Sequence, residues 1–213
     1  MYEVKLKSKS TGLLPIAQRA VARNHLRLLL SELPPGSTAY VAGGAPRDWH
    51  HGWGCRDIDI FYHVPDEYRA GITKTMSDKY TTNAQDYSSY GYGVNNNPLI
   101  HSIHEYPATL HSPRAKSTTY TPVQLVQTTK PALEVIESFP ISLSRIWMDV
   151  AGTIKCDPMY AQSYNARIIH ELNETHGWNY IYLNKILGRM SMYAFCPLRY
   201  DGSRDEDRIE IGF

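Results

Sequence analysis

Two acidic residues stand one position apart in the run Asp57-Ile58-Asp59-Ile60-Phe61, whose alternation predicts a β-strand. Successive side chains of a strand point to opposite faces, so Asp57 and Asp59 share one face while Ile58 and Ile60 point into a core. At ~5 Å and an effective dielectric of ~20, two such charges repel by roughly 3 kcal/mol. Left alone, one of them would keep its proton. A hard divalent cation such as Mg²⁺ removes the conflict, because it prefers oxygen ligands and leaves its remaining positions to water and substrate phosphates.

The residues just upstream suit the same substrate. An apolar strand, Ala39-Tyr40-Val41-Ala42, runs into the pair Gly43-Gly44 and a short polar segment, Ala45 to Gly54. Without Cβ atoms the glycines let the backbone turn sharply and bring its N–H groups close to a phosphate. A helix beginning near Pro46 would point its positive end the same way. Arg47 is the expected phosphate or base contact, since a guanidinium binds phosphate through two parallel hydrogen bonds. Asp48 is read equally as a brace for the loop and as a substrate contact. Trp49, Trp53, His50 and His51 are read as packing under the loop in preference to base stacking.

These groups must be positioned by the elements around them. A helix is expected from Pro15 to about Leu33, with Ile16, Ala20, Val21 and Leu28-Leu29-Leu30 on its apolar side and Arg19, Arg23 and Arg27 on the other. Pro34-Pro35-Gly36 ends it. Met1 to Gly12 reads as a short strand or arm. Pro65 to Ser77 reads as helical. From Asp78 to Pro122 the chain turns rich in tyrosine, asparagine and glycine, an insertion with hairpin character around Leu99 to Tyr106. Its tyrosines suit base stacking and a protein interface equally.

Further on, Val123 to Gln127 reads as a strand, Pro131 to Phe139 as a short helix, Ile141 to Val150 as a strand, and Thr153 to Cys156 as another after a turn at Gly152. Two amphipathic helices are expected at Tyr164 to Glu174 and Trp178 to Ala194. Lys185 and Arg189 fall four apart on one face of the second, within possible reach of phosphate. The tail is expected to dock through Ile209, Ile211 and Phe213. The expected organisation is a core over residues 1–160, carrying the insertion at about 78–122, and a smaller helical part with a tail over 161–213.

Composition narrows the partners. The 213 residues are 42% hydrophobic, enough for one good core, and the net charge of +1 supplies no general field for nucleic acid. Three widely spaced cysteines argue against a disulfide framework or a zinc cluster, and the histidines grouped at His50-His51 and at His101 and His104 lack the spacing and fourth ligand that zinc needs. The absence of a long apolar run or secretory signal leads to the expectation of a soluble, cytoplasmic protein with no membrane partner.

In its glycine pair, Arg47-Asp48 and Asp57-x-Asp59, with twelve residues between Gly44 and Asp57, the chain resembles the DNA polymerase beta nucleotidyltransferase superfamily. The pattern resembles the head of CCA-adding enzymes and poly(A) polymerases in particular, and about the first third of the chain carries it. The resemblance implies an α+β fold, a mixed sheet flanked by helices on one face, with a small C-terminal helical part. Gly43, Gly44 and Arg47 would then hold the triphosphate of a nucleoside triphosphate, and Asp57 and Asp59 would ligate Mg²⁺.

The strand, helix, strand order after Val123 is also similar to viral and phage nucleotidyltransferase-like proteins, in which an aspartate after the helix supplies a third carboxylate. Here Pro140 follows Phe139. Two metals about 3.5 to 4 Å apart normally need that third acid. Glu137 and Asp149 are nearby, and Asp149, between Met148 and Val150, is expected to take the position. An ordinary residue ahead of a turn is the alternative.

Two functions remain open on the sequence. One is Mg²⁺-dependent transfer of a nucleoside monophosphate from a triphosphate to a hydroxyl of RNA, protein or a small molecule, with Asp57, Asp59 and Asp149 as catalytic residues. The other is a degenerate binding or structural module of the same fold, for which a phage or viral origin, and with it the host cytoplasm, is one reading. A toxin-like or antitoxin-like partner is a third, weaker reading.

Overall fold

The structure, a computed structural model, describes residues 2–3, 13–80, 98–110, 119–172, 180–197 and 210–211. Its first helix, α1 (Leu13–Glu32), buries Ala22, Leu26 and Leu29, an i, i+4, i+7 stripe. Gly36, with φ of 85°, turns the chain into β2 (Thr38–Ala42). After α2 (Gly44–His50) the chain returns as β3 (Ile58–His63), antiparallel to β2, with Ala42 opposite Asp59 and Val41 opposite Ile60.

Helix α3 (Asp66–Tyr80) leads away, and β4 (Ile100–Leu110) and β5 (Thr119–Thr128) form an antiparallel pair, the hairpin pairing expected near Leu99 to Tyr106. Strand β5 lies parallel to β3, which makes the sheet mixed. Then come α4 (Ala132–Glu137), β6 (Ile146–Met148) on the other side of β2, and β7 (Ile154–Cys156), whose outer edge takes β1 (Tyr2–Glu3). The seven strands stand in the order β1-β7-β6-β2-β3-β5-β4. The α+β architecture, a mixed sheet flanked by helices, is the one expected.

The alternation in β3 separates the two faces. Val41, Ile58, Ile60, Tyr62, Leu125 and Met148 form one apolar layer under α1, Trp49 of α2, Met76 of α3, Ile186 of α6 (Tyr180–Arg189) and Met190 just after it. On the opposite face Ala42, Phe61, Val126 and Trp147 pack with Phe139 and with Ala132, Val135 and Ile136 of α4. Helices on one face only were expected, and α4 corrects this by covering part of the second.

Other expectations are corrected in the C-terminal half. The helix placed at Tyr164 to Glu174 is instead α5 (Pro158–Ala166), started by Asp157, whose Oδ1 accepts the N–H of Met159 at 2.6 Å, with proline tolerated at N1. Arg167, at φ of 60°, ends it, and β8 (Ile168–His170) follows. The strand expected over Ile141 to Val150 is shortened to β6, because Ser142–Ser144 form a 3₁₀ turn. Ser142 Oγ there accepts the backbone N–H of His170 at 3.0 Å and lies 2.7 Å from Ser163 Oγ.

The last expected helix is shortened to α6, and β9 (Ala194–Cys196) then joins β8 and β10 (Glu210–Ile211) in a small second sheet. Ile209 and Phe213 of the tail, residues 4–12 of the arm, and most of the tyrosine-rich insertion (81–97 and 111–118) lie outside the described residues. Among the described residues no helix is long and apolar enough to cross a membrane.

Candidate functional site

The site begins where β2 ends. Gly43 has φ of 73° and ψ of −120°, a conformation open to glycine and strained for any side chain. Its N–H is held by Ile146 O at 3.1 Å, so the turn is fixed to β6. A Cβ on Gly44 would lie 3.6 Å from Arg47 Nη2, which puts the guanidinium beside the glycine pair. Arg47 is 7% exposed, and its Nε and Nη2 both reach Asp48 Oδ1 at 3.1 Å. The residues expected to meet phosphate are therefore gathered in one place.

Asp59 enters from the neighbouring strand. Its register partner on β2 is Ala42, immediately before the glycine pair, and Asp57 precedes β3 by one residue. Asp59 is 7% exposed, yet no hydrogen bond or ion pair reaches its carboxylate among the described residues. Burial first, and the charge of Asp57 second, push its pKa up to about 8, against the opposing fields of Lys185 and Arg47. Asp59 is thus a buried carboxylate with a second acid beside it and, among the described residues, no donor to offset its burial. The donor set, two carboxylates, is of the hard oxygen kind that fits Mg²⁺.

Asp149 is not brought to this pair. It sits after β6, where its Oδ1 accepts the N–H of Thr153 at 2.9 Å and its Oδ2 lies 2.9 Å from Lys155 Nζ. Since Ala42 pairs with Trp147 and Val41 with Met148, Asp149 falls two steps further from the glycine pair along the sheet. Among the described residues no three acidic, histidine or cysteine side chains converge as a metal site. The place beside Asp59 on the adjacent strand belongs to Gln124, whose Nε2 donates to Glu105 Oε2 at 3.5 Å. Sequence reading did not place Gln124 beside Asp59; its only signal was its place in the Val123 to Gln127 strand.

The rest of the loop is structural. Asp48 accepts Arg47 on one oxygen and Arg189 Nη2 on the other, at 3.2 Å, and Arg189 also donates to Gly54 O at 2.9 Å. Asp48 thus braces the loop against α6. Trp49 is fully buried and its Nε1 reaches Gln18 Oε1 at 3.4 Å, while His51 Nε2 lies 2.7 Å from Tyr193 OH. His50 Nδ1 lies 2.7 Å from Tyr160 OH, and Trp53 packs against the core and beneath Arg189.

No protein-family model matches this chain, and no curated protein matches it. Solved structures of CCA-adding enzymes do. The chain is similar to the Bacillus stearothermophilus CCA-adding enzyme in complex with CTP, at 19% identity and a TM-score of 0.43 over 83% of this chain and 37% of that one. It is similar to the Thermotoga maritima CCA-adding enzyme complexed with tRNA, at 12% identity and a TM-score of 0.45 over 90% and 40%. A complex of a CCA-adding enzyme with ATP is similar at 13% identity and a TM-score of 0.44 over 90% and 41%. This chain spans about two fifths of the length of those solved chains.

Proposed function

We propose that the chain binds a nucleoside triphosphate with Mg²⁺ and transfers its nucleoside monophosphate to a hydroxyl of RNA, protein or a small molecule. The observation that carries this reading is the carboxylate of Asp59, buried, without a hydrogen-bond donor among the described residues, and placed with Asp57 beside the glycine pair. Mg²⁺, held by Asp57 and Asp59, would neutralise phosphate charge and polarise the phosphoryl oxygens. Gly43 and Gly44 leave room for phosphate oxygens to approach the backbone, and Arg47 supplies the adjacent positive charge. Fixing the triphosphate in line with an acceptor hydroxyl is what such a site contributes to phosphoryl transfer.

A second reading, nucleotide binding without transfer, is favoured by one observation: the strand neighbour of Asp59 is the neutral Gln124. Calorimetric titration of each nucleoside triphosphate with Mg²⁺, beside the Asp57→Asn, Asp59→Asn double variant, tests the shared site. Metal-dependent binding that disappears in the variant is expected. Equal binding by both proteins would overturn the assignment of the two aspartates. Labelled-triphosphate incorporation then separates transfer from binding alone.

A further inference from the structure

The two aspartates of the site are not held in the same way. Asp59 lies within β3, paired with Ala42 on one side and with Gln124 on the other. The first ladder pair of that strand is Ile58 with Val123, so Asp57 stands one residue before it, in a stretch that is neither helix nor strand. Something other than the sheet must fix this stretch.

Helix α1 does so through one side chain. Gln18 is 1% exposed, and both ends of its amide meet the backbone of Cys55, two residues before Asp57. Its Nε2 donates to Cys55 O at 2.9 Å, and its Oε1 accepts the Cys55 N–H at 2.9 Å. A residue directly opposite on an antiparallel strand would exchange the same two bonds, so the glutamine stands in for a strand partner. The amide also reaches two other elements, since Nε2 donates to Thr121 Oγ1 of β5 at 3.1 Å and Oε1 accepts Trp49 Nε1 of α2 at 3.4 Å. Packing closes the same contact. A Cβ on Gly54 would lie 2.7 Å from Leu14 Cδ2 and 3.4 Å from Gln18 Oε1, so a side chain there would push the loop off α1.

We infer that Gln18 is a positioning residue for the metal site, holding Cys55 so that Asp57 meets the cation together with Asp59. The inference rests on the nucleotide site proposed above and deepens it, because it names what places the one aspartate that the sheet ladders leave out. Gln18 acts through the Cys55 backbone and is not itself a ligand. Groups that orient metal ligands in this way are commonly worth about 10- to 100-fold in metal affinity.

The test has two parts. In the metal-free wild type, amide exchange followed by NMR should find the Cys55 N–H as well protected as that of Ile60 in β3. Fast exchange at Cys55 beside a protected Ile60 would overturn the clamp, whatever the protein binds. Calorimetric titration with ATP over a range of Mg²⁺ is then made on wild type, on Gln18→Met, which keeps the length of the side chain and removes its hydrogen bonds, and on Leu26→Ala, which opens a cavity under the same helix. Gln18→Met is expected to need about tenfold more Mg²⁺ for half-maximal binding and to regain wild-type ATP affinity once Mg²⁺ saturates. Leu26→Ala should melt lower and keep the wild-type Mg²⁺ requirement. An equal requirement in wild type and Gln18→Met, or a shift in Leu26→Ala as large as in Gln18→Met, would overturn the role of Gln18 and leave the site standing. Absence of Mg²⁺-dependent ATP binding to a wild type whose Cys55 is protected would overturn the nucleotide site, and this role with it.

Discussion

Asp59 and Gln124 are register partners on neighbouring parallel strands, β3 and β5, so their side chains leave the same face of the sheet about 4.8 Å apart. One is a buried carboxylate without a hydrogen-bond partner among the described residues, and the other is a neutral amide that reaches Glu105. Two-metal phosphoryl transfer needs acidic ligands enough to hold both ions, and on this face the position next to Asp59 carries no charge.

Gln124→Glu should therefore increase transfer. With the added acid beside Asp59, nucleotidyl incorporation from a labelled triphosphate is expected to rise about tenfold or more over wild type. The same change adds a negative charge near Asp59 and Glu105, so the metal-free variant should melt lower and recover with Mg²⁺. Wild-type turnover that is abolished by Gln124→Glu would show that the amide itself is required.

Asp59→Asn should stabilise the metal-free protein, and the gain should grow with pH. The folded value of about 8 lies above the ordinary carboxylate value, so between the two the folded chain keeps a proton that the unfolded chain has released. Stability from this group is fully present below the unfolded value and is lost as pH rises through about 8, by up to about 1.4 kcal/mol per pH unit in that window. Thermal melts in chelator at pH 5.5, 7 and 8.5 should show a widening advantage for the variant. A constant or reversed difference would mean that the buried carboxylate has found a donor.

The parts of this site that could be read in the sequence are those whose signals are local. Alternation through Ile58, Asp59, Ile60 and Phe61 specified which residues enter the main core, and Ile58 and Ile60 are fully buried there. A glycine pair after an apolar strand marked the turn at Gly43, because few other residues tolerate its backbone. Gln124 was hidden because its meaning depends on β5 lying parallel to β3 across 65 positions of sequence, a pairing that periodicity does not encode. Helix α5 was misplaced because its apolar spacing is weak, and the stronger signal was the Asp157-Pro158 start. The bond from Arg189 to Asp48 joins residues 141 apart and had no local sign at all.

Asp149 provides a test that separates a structural acid from a catalytic one. Burial works to raise its pKa, but the Lys155 ammonium and the Thr153 N–H outweigh that effect and hold it below the usual carboxylate value. Its contribution to stability is thus present above the unfolded value of about 3.9 and is lost as pH falls through the lower, folded value. Asn at this position keeps an acceptor for Thr153 and removes only the ion pair. Because Lys155 is about one-third exposed, Asp149→Asn should cost no more than about 1 kcal/mol at neutral pH. Asp149→Ala also leaves the Thr153 N–H without its side-chain acceptor and should cost about 1 kcal/mol more. Neither change should alter nucleotide affinity measured by calorimetry, because Asp149 is paired with Lys155 and stands at the end of β6 away from Ile146, whose carbonyl holds Gly43. A loss of Mg²⁺-dependent nucleotide binding in Asp149→Asn, with its melting temperature within a few degrees of wild type, would instead place this carboxylate at the metal.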